Sequence, residues 1–479
     1  MDFAADPFLS EASALLGPGG LTVDSALLEP WLTDWRGRYT GSARAMASPA
    51  NTAQLADLVR LCGKHGVPIV PQGGNSGMSG GATPDGSGAA LLVSLRRMNA
   101  IRAIDPAAMT VQCEAGVILQ SLHQAAEAQG LRFPLTLGGK GSATIGGLIS
   151  TNAGGTQVLR HGSMRAQVLG LEAVLADGSV YSALTPLKKD NRGFDLKQLF
   201  IGSEGTLGII TAATLRLVPA VAQRMVVWAG LASIQQARAL LLHCQKQAGE
   251  ALEGFEVLPQ TCLDAVLAYL PDARAPLERS HAPYAWHALI ELVGDDPVPQ
   301  GEAMLASALA EGLLEDAVIA RSEAQAEAFW TLRESVSPAE RAKGPAMQHD
   351  IAVPVERMAD FLEQAVPAME SRWPGTRAFG FGHLGDGNVH FHVQAPAGVD
   401  RAVWERTDGK AISRAVDDLV TEWQGTISAE HGIGQLKVDE LERLGDPVAL
   451  ALLQRVKRAL DPAEILNPGK LLARRTASA

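Results

Sequence analysis

The sequence predicts an α+β protein with two main domains, and three observations carry that reading. Its 479 residues exceed what one hydrophobic core organises. Up to about Ala220, short strand-like runs feed glycine-rich loops. Beyond that point glycine thins out, and runs such as MVVWAGL and YAWHALIELVG alternate with long amphipathic helices, expected at 302–314 and 404–423. We therefore expect a first domain over 1–220 and a second over 221–440, the latter an antiparallel sheet covered by helices. The turn-rich segment 441–479, with DPAEILNPGKLL, is expected to return to the first domain. No internal repeat is evident.

The elements follow in order. Asn51 with Gln54 three residues on resembles a capping box, and Leu55, Leu58, Val59 and Cys62 form one apolar stripe. Gly63 and Gly66 are expected to stop this helix, and VPIV runs as a strand into PQGGNSGMSGG. Strands are expected at GAALLVSL and TVQCEAG, then a helix from about Ile118 to Ala128 closed by Gly130. LGLEAVLADGSVYSA reads as a hairpin turning at Asp177-Gly178, and TLGIITAATLRLVP as a further strand.

Composition narrows the function. A net charge of −11 argues against nucleic acid as a partner, because phosphate binding needs a basic surface. Cys62, Cys113, Cys244 and Cys262 form no CxxC pair, so reduced, buried thiols are expected. The N-terminal run MDFAADPFLSEASALLG has no basic region and no window approaches a membrane span. The expectation is a cytoplasmic protein, with loose association with a membrane carrier left open.

Three glycine-dense segments fall in the first domain. PQGGNSGMSGG (Pro71–Gly81) follows a strand, and its glycines let successive N–H groups face a phosphate. It lacks both the Walker A ending and the GxGxxG spacing. LGGKGSATIGGLISTNAGG (Leu137–Gly155) and IGSEGTLGII (Ile201–Ile210) follow. Three such segments suit a long ligand threaded against backbone; a single phosphate would not need so many.

The second domain has a polar cluster. FGHLGDGNVHFHV reads as strand, turn, strand, and a turn at Gly385–Asn388 would bring His383 and His390 together. Two histidines suit a divalent ion, commonly completed by a carboxylate, and SAEHGIG supplies Glu430 beside His431. Any single histidine is more often a hydrogen-bonded structural residue; the combination points to metal. Arg333, in WTLRESVSP, could grip a substrate carboxylate bidentately, although a helix-surface salt bridge is the commoner role.

PQGGNSGMSGG, TIGGLISTNAGGTQVLRHGSMRAQVLGLEAVLADGSV and KKDNRGFDLKQLFIGSEGTLGIIT together resemble the FAD-binding half of the vanillyl-alcohol-oxidase-type flavoproteins. Within these the chain is most similar to the D-2-hydroxyacid dehydrogenases, the D-2-hydroxyglutarate and D-lactate dehydrogenase group. The resemblance runs from about Trp35 to Leu472. It implies a two-part FAD-binding domain and an antiparallel-sheet cap. FAD would lie along Pro71, Gly73, Gly74, Asn75, Ser76, Gly77 and Gly81, with Gly138, Gly141, Ser142, Ile145, Gly146, Asn152, Gly154 and Gly155. Glu204, Gly208, Ile209, Ile210 and Asn467 would complete its site. The first loop offers Gly74, Asn75 and Ser76 where some members carry a flavin-linking histidine, so non-covalent FAD is expected.

The resemblance further implies a divalent metal, commonly zinc, on His383, His390 and Glu430, with His431 as base. Glu430 and His431 would also face the substrate, Arg333 would be its catalytic and binding arginine, and Ser337 would supply a hydroxyl. Two departures touch specificity. Gln348-His349-Asp350 stands where D-2-hydroxyglutarate dehydrogenases commonly have Lys-Tyr-Asp, and His392 stands where they have asparagine. Gln348 and His392 are thus substrate-facing candidates, and a D-lactate dehydrogenase is the alternative. With no NAD fingerprint, electrons would leave to an electron-transfer flavoprotein or a quinone. A homodimer is left open. From other classes, a metal-dependent lyase or hydrolase holding a nucleotide, or a non-catalytic oxidase subunit, would use the same loops.

Overall fold

The computed structural model describes residues 6–187, 189–277 and 284–474. The chain divides into two compact units. The first takes the chain up to Gly155, then Gly162–Ala220, and resumes at Glu430. The second is Val221–Ala429 with the short insert Thr156–His161.

In the first unit, Asn51 caps the helix Thr52–His65 by accepting from Gln54 N at 2.9 Å. Gln54 Oε1 in turn accepts from Ala50 N, so the box closes one residue before the cap. The helix passes through Gly63 and ends only at Gly66, whose φ of 63° lies in the left-handed region. A glycine inside a helix weakens it by about 1 kcal/mol without stopping it, whereas a left-handed residue ends it. This helix links Ala45–Ala47 to Ile69–Gln72, and both run parallel to Leu91–Ser94 between them. Leu21–Thr22 completes the sheet as an antiparallel edge. A second, antiparallel sheet runs in the order Ile101–Asp105, Thr110–Glu114, Ile209–Arg216, Val168–Val174, Val180–Ala183. Its last pair is the expected hairpin, with Gly178 at φ 75°. Leu55, Leu58, Ile69, Leu91, Val111, Leu171 and Ile209 belong to one continuous core.

The second unit is built on seven strands: β1 (Gln223–Leu231), β2 (Leu252–Pro259), β3 (Trp286–Gly294), β4 (Asp316–Ile319), β5 (Ala346–Ala352), β6 (Arg377–His383) and β7 (Asn388–Gln394). They lie in the order β4-β1-β3-β2-β6-β7-β5, antiparallel throughout. Helices α1 (Glu323–Glu334) and α2 (Val336–Lys343) contribute Phe329, Leu332, Val336 and Ala339 to a core shared with Trp228, Phe379 and Phe381. The helix expected at 302–314 is Pro297–Ala310, because Pro297 sits at its first turn and Gly312 turns left-handed after it. The one expected at 404–423 is Arg401–Trp404, a π-turn at Glu405–Gly409, then Lys410–Glu422. Gly409 is needed there, since a Cβ would lie 2.9 Å from Met347 Sδ.

All four cysteines are free and buried. Burial pushes the thiols of Cys62, Cys113 and Cys244 up to about 12, so they are inert apolar fillers.

Candidate active site

The first unit contains a cradle of backbone. Ile69–Gln72 ends in the loop carrying Gly73, Gly74, Asn75, Ser76 and Gly77. A Cβ on Gly73 would lie 2.1 Å from Thr144 Oγ1, and one on Gly74 would lie 1.7 Å from the Ser142 carbonyl oxygen. At Gly74 the Pro71–Gly81 and Gly138–Gly155 loops therefore meet backbone to backbone, which no other residue at that position would allow. Thr144 Oγ1 is buried and makes no hydrogen bond among the described residues, while Gly77 and Gly138 face nothing within 4 Å. Glycines that admit close approach, beside an unsatisfied hydroxyl, fit an extended ligand such as FAD.

Several residues expected to touch FAD hold the cradle together. Asn152, left-handed at φ 50°, accepts from Ser163 Oγ and Arg165 N. Gly146 and Gly155 are forced by close packing on Ala115 and on the Thr136 carbonyl oxygen. Ser142 Oγ reaches the Gly139 oxygen at 3.5 Å, Gly141 lies by Gln120, and Ile145 opens the helix Ile145–Thr151, which ends three residues before Gly154. Gly208 packs on Phe200, and Ile209 and Ile210 are buried at the start of their strand. Asn467 donates to the carbonyl oxygens of Gly81 and Glu204 at 2.9 and 2.7 Å.

The turn that carries His431 is fixed to this cradle. Ser79 Oγ donates to the carbonyl oxygens of His431 and Gly432, and Ser79 O accepts from Gln435 N and Leu436 N. Glu204 accepts from Ile433 N and Gly434 N, each at 2.7 Å. Burial pushes the Glu204 carboxyl up, and the two amides offset only part of that, leaving it above its ordinary value. Gly432 and Gly434 are left-handed, at φ 74° and 54°. A Cβ on Gly434 would sit 2.0 Å from Ser79 O, so both the conformation and the space require glycine.

In the second unit, strand register places Gln348 and Asp350 of β5, Asn388, His390 and His392 of β7, Phe379, Phe381 and His383 of β6, and Glu256 of β2 on one sheet face. His383 lies diagonal to His390 across the hairpin, with ring centroids 5.7 Å apart. Asn388 Nδ2 donates to Asp350 Oδ1. His392 is 3% exposed and stands edge-on to Phe379 and Phe381. Its ladder partner Gln348 buries a side-chain amide nitrogen with no hydrogen-bond partner among the described residues. His349 points the other way, between the Phe391 carbonyl oxygen and Ser413 Oγ.

Arg333, at the end of α1, is buried over the Phe381 ring and gives Nε and Nη2 to Glu256 Oε2 at 2.8 and 2.7 Å. The Nε–Nη2 edge is therefore occupied, which leaves the Nη1 donors for another acceptor. Glu256 is wholly buried. Burial would raise its pKa, yet Arg333 and His383 beside it hold the carboxyl well below the usual range. Ser337 lies in the first turn of α2. Two histidines on one hairpin, one backed by a carboxylate, fit a divalent cation.

A family model described as FAD binding domain matches residues 43–183, and one described as FAD linked oxidases, C-terminal domain, matches 221–471. The chain belongs to the FAD-linked oxidases. It is an FAD-dependent dehydrogenase, and the resemblance drawn from its glycine segments holds. The D-2-hydroxyglutarate dehydrogenase of Xanthomonas citri pv. viticola is 34% identical over 453 residues, covering 94% of each chain. The mitochondrial D-2-hydroxyglutarate dehydrogenases of Arabidopsis thaliana and Bos taurus are each 36% identical, over 96% and 95% of this chain and 80% and 81% of the relatives. In fold the FAD-linked oxidase matches p-cresol methylhydroxylase, at TM-score 0.73 and 16% identity over 99% of this chain and 98% of that one. It also matches 4-ethylphenol oxidase from Gulosibacter chungangensis, at 0.73 and 20% over 98% and 97%.

One expectation is corrected. The cytoplasmic location read from the N-terminal residues is overturned by relatives that are mitochondrial enzymes. A soluble-looking N-terminal run carries no address by itself. No helix among the described residues is long and apolar enough to cross a membrane. Sequence reasoning also missed Glu256. Its signal was an acid inside the run LEGFEVLP, where an ionised side chain needs a buried partner.

Proposed function

We propose that this FAD-linked oxidase oxidises D-2-hydroxyglutarate to 2-oxoglutarate with the help of a divalent cation. The observation that carries the reading is the sheet face on which His383, His390 and the Glu256-bound Arg333 converge, in a chain whose relatives are D-2-hydroxyglutarate dehydrogenases. When bound, the flavin supplies the two-electron acceptor, and the cation, zinc by the family resemblance, supplies Lewis acidity at the substrate hydroxyl.

The protein's own residues do the rest. His383 and His390 hold the cation, with Glu430 as third ligand. Ala429 N donates to Asp350 O at 3.3 Å, Asp350 pairs with His390 in the ladder, and Glu430 is the next residue of the chain. His431 takes the hydroxyl proton on a ring nitrogen while the hydride leaves Cα. Arg333 and Ser337 bind the substrate carboxylate. Gln348 and His392 line its far end, where the unsatisfied Gln348 amide can donate. Electrons pass on to an electron-transfer flavoprotein or a quinone.

Gln348 is neutral, and that observation favours D-lactate as the second reading. Anaerobic flavin bleaching with a panel of D- and L-2-hydroxy acids, with and without chelator, tests both. Bleaching by D-2-hydroxyglutarate, fast with metal and slow without, is the expected result. Bleaching by no D-acid refutes the reaction, and chelator-independent bleaching refutes the metal.

A further inference from the structure

We propose that Glu256 is a positioning residue that fixes His383 so that Nε2 is the nitrogen presented to the cation, while the same carboxylate anchors Arg333. This rests on the metal reading above. Glu256 sits directly across the β2–β6 ladder from His383, and its two oxygens are divided between two partners. Oε1 lies 2.5 Å from His383 Nδ1, and Oε2 receives Nε and Nη2 of Arg333.

A carboxylate this close to one ring nitrogen favours the tautomer with the proton on Nδ1, which leaves the Nε2 lone pair for the cation. It also fixes the ring plane and raises the basicity of the coordinating nitrogen. Arg333 supplies the opposite charge, so the carboxylate can stay in a wholly buried site. The guanidinium is held in turn over Phe381, whose centroid is 5.0 Å away, and Phe381 pairs with His390 across β6 and β7. A metal ligand and the substrate-binding arginine thus share one anchor. A salt bridge serving only stability would not require a histidine nitrogen on its second oxygen.

The test begins with wild-type protein that retains FAD, stripped of metal and labelled with [15N]histidine. On zinc addition, long-range 15N–1H spectra should show His383 protonated at Nδ1 and metal-bound at Nε2. Chelator competition should show E256Q binding zinc about 10–100-fold more weakly than wild type. Both effects should appear at unchanged FAD content. Coordination through Nδ1 overturns the inference, as does wild-type zinc affinity in folded E256Q. The spectra need no variant, so a failure of E256Q to fold leaves the inference testable. If wild type binds zinc no better than H390A, the metal reading itself has failed, and this inference goes with it.

Discussion

The Glu204 clamp on the His431 turn gives the sharpest quantitative expectation. Glu204 accepts two backbone amides, Ile433 N and Gly434 N, at 2.7 Å and is only 8% exposed. E204Q keeps the shape but offers one oxygen and one amide group, so one of the two N–H groups loses its acceptor and faces a donor. A charge-assisted bond of this kind is worth about 1.5–3 kcal/mol. The turn can respond by staying put, which lowers global stability by that amount. Alternatively it can shift, which moves His431 and replaces the loss with a slower reaction. Since about 1.4 kcal/mol is a factor of ten, the second route costs roughly 10–100-fold in rate. We expect a mixture: FAD retained, flavin reduction slowed at least tenfold, and a modest fall in denaturation free energy. Stopped-flow reduction by D-2-hydroxyglutarate and urea titration of the same samples measure the two parts. The double variant E204Q/G432A should be less than additive, because a Cβ on Gly432 would lie 2.8 Å from Glu204 Oε1 and disturb the same clamp. Wild-type reduction rate together with unchanged stability in E204Q would show that the clamp holds nothing.

Two further outcomes follow from packing and charge. G74A places a methyl 1.7 Å from the Ser142 carbonyl oxygen, so the two loops must separate; FAD content after purification should fall several-fold, while G86A, exposed and with nothing within 4 Å, should load normally. D6A removes the cap on Phe8 N and Leu9 N and the partner of Arg44, and urea titration at pH 7 should show a loss of about 1 kcal/mol. The Arg44 hydrogen bond holds Asp6 below its ordinary carboxyl value, so its contribution is present above that value and lost as pH falls through the lowered one. The wild-type advantage over D6A should accordingly vanish in acid, and an advantage that persists there would refute this account.

How much of this was legible in the sequence depended on sequence distance. Helix caps and glycine turns are local: Asn51 and Gln54 are three residues apart, and Gly66 needs only its own φ. The hairpin bearing His383 and His390 is nearly as local, because period-two alternation on both sides of GDGN fixes which side chains share a face. Glu204 was legible as part of a glycine segment, yet its carboxylate acts on amides 229 and 230 positions away, which no local pattern encodes. Asn467 is similar: its amide serves Gly81, 386 residues distant. Glu256 shows the other limit. An acid in an apolar strand announces a buried partner but not its identity, since that is set by β2 lying beside β6, a non-consecutive pairing.

The two buried glutamates share a logic that bears on how an acidic protein can oxidise an anionic acid. With a net charge of −11, the chain offers no general attraction for a substrate carboxylate. Three buried acids are instead compensated at short range. Glu204 is held by two amides, Asp350 by the Asn388 amide, and Glu256 by Arg333 and His383. The amides lower the cost of burying Glu204 and Asp350, and only Glu256 meets an opposite charge within hydrogen-bond distance. On the proposed reading, the positive charge that acts on the substrate comes from the outer end of Arg333 and from a cation held by the histidines. That division explains why one carboxylate should hold both: neutralising Arg333 too fully would cost substrate binding, and sharing Glu256 with His383 prevents it.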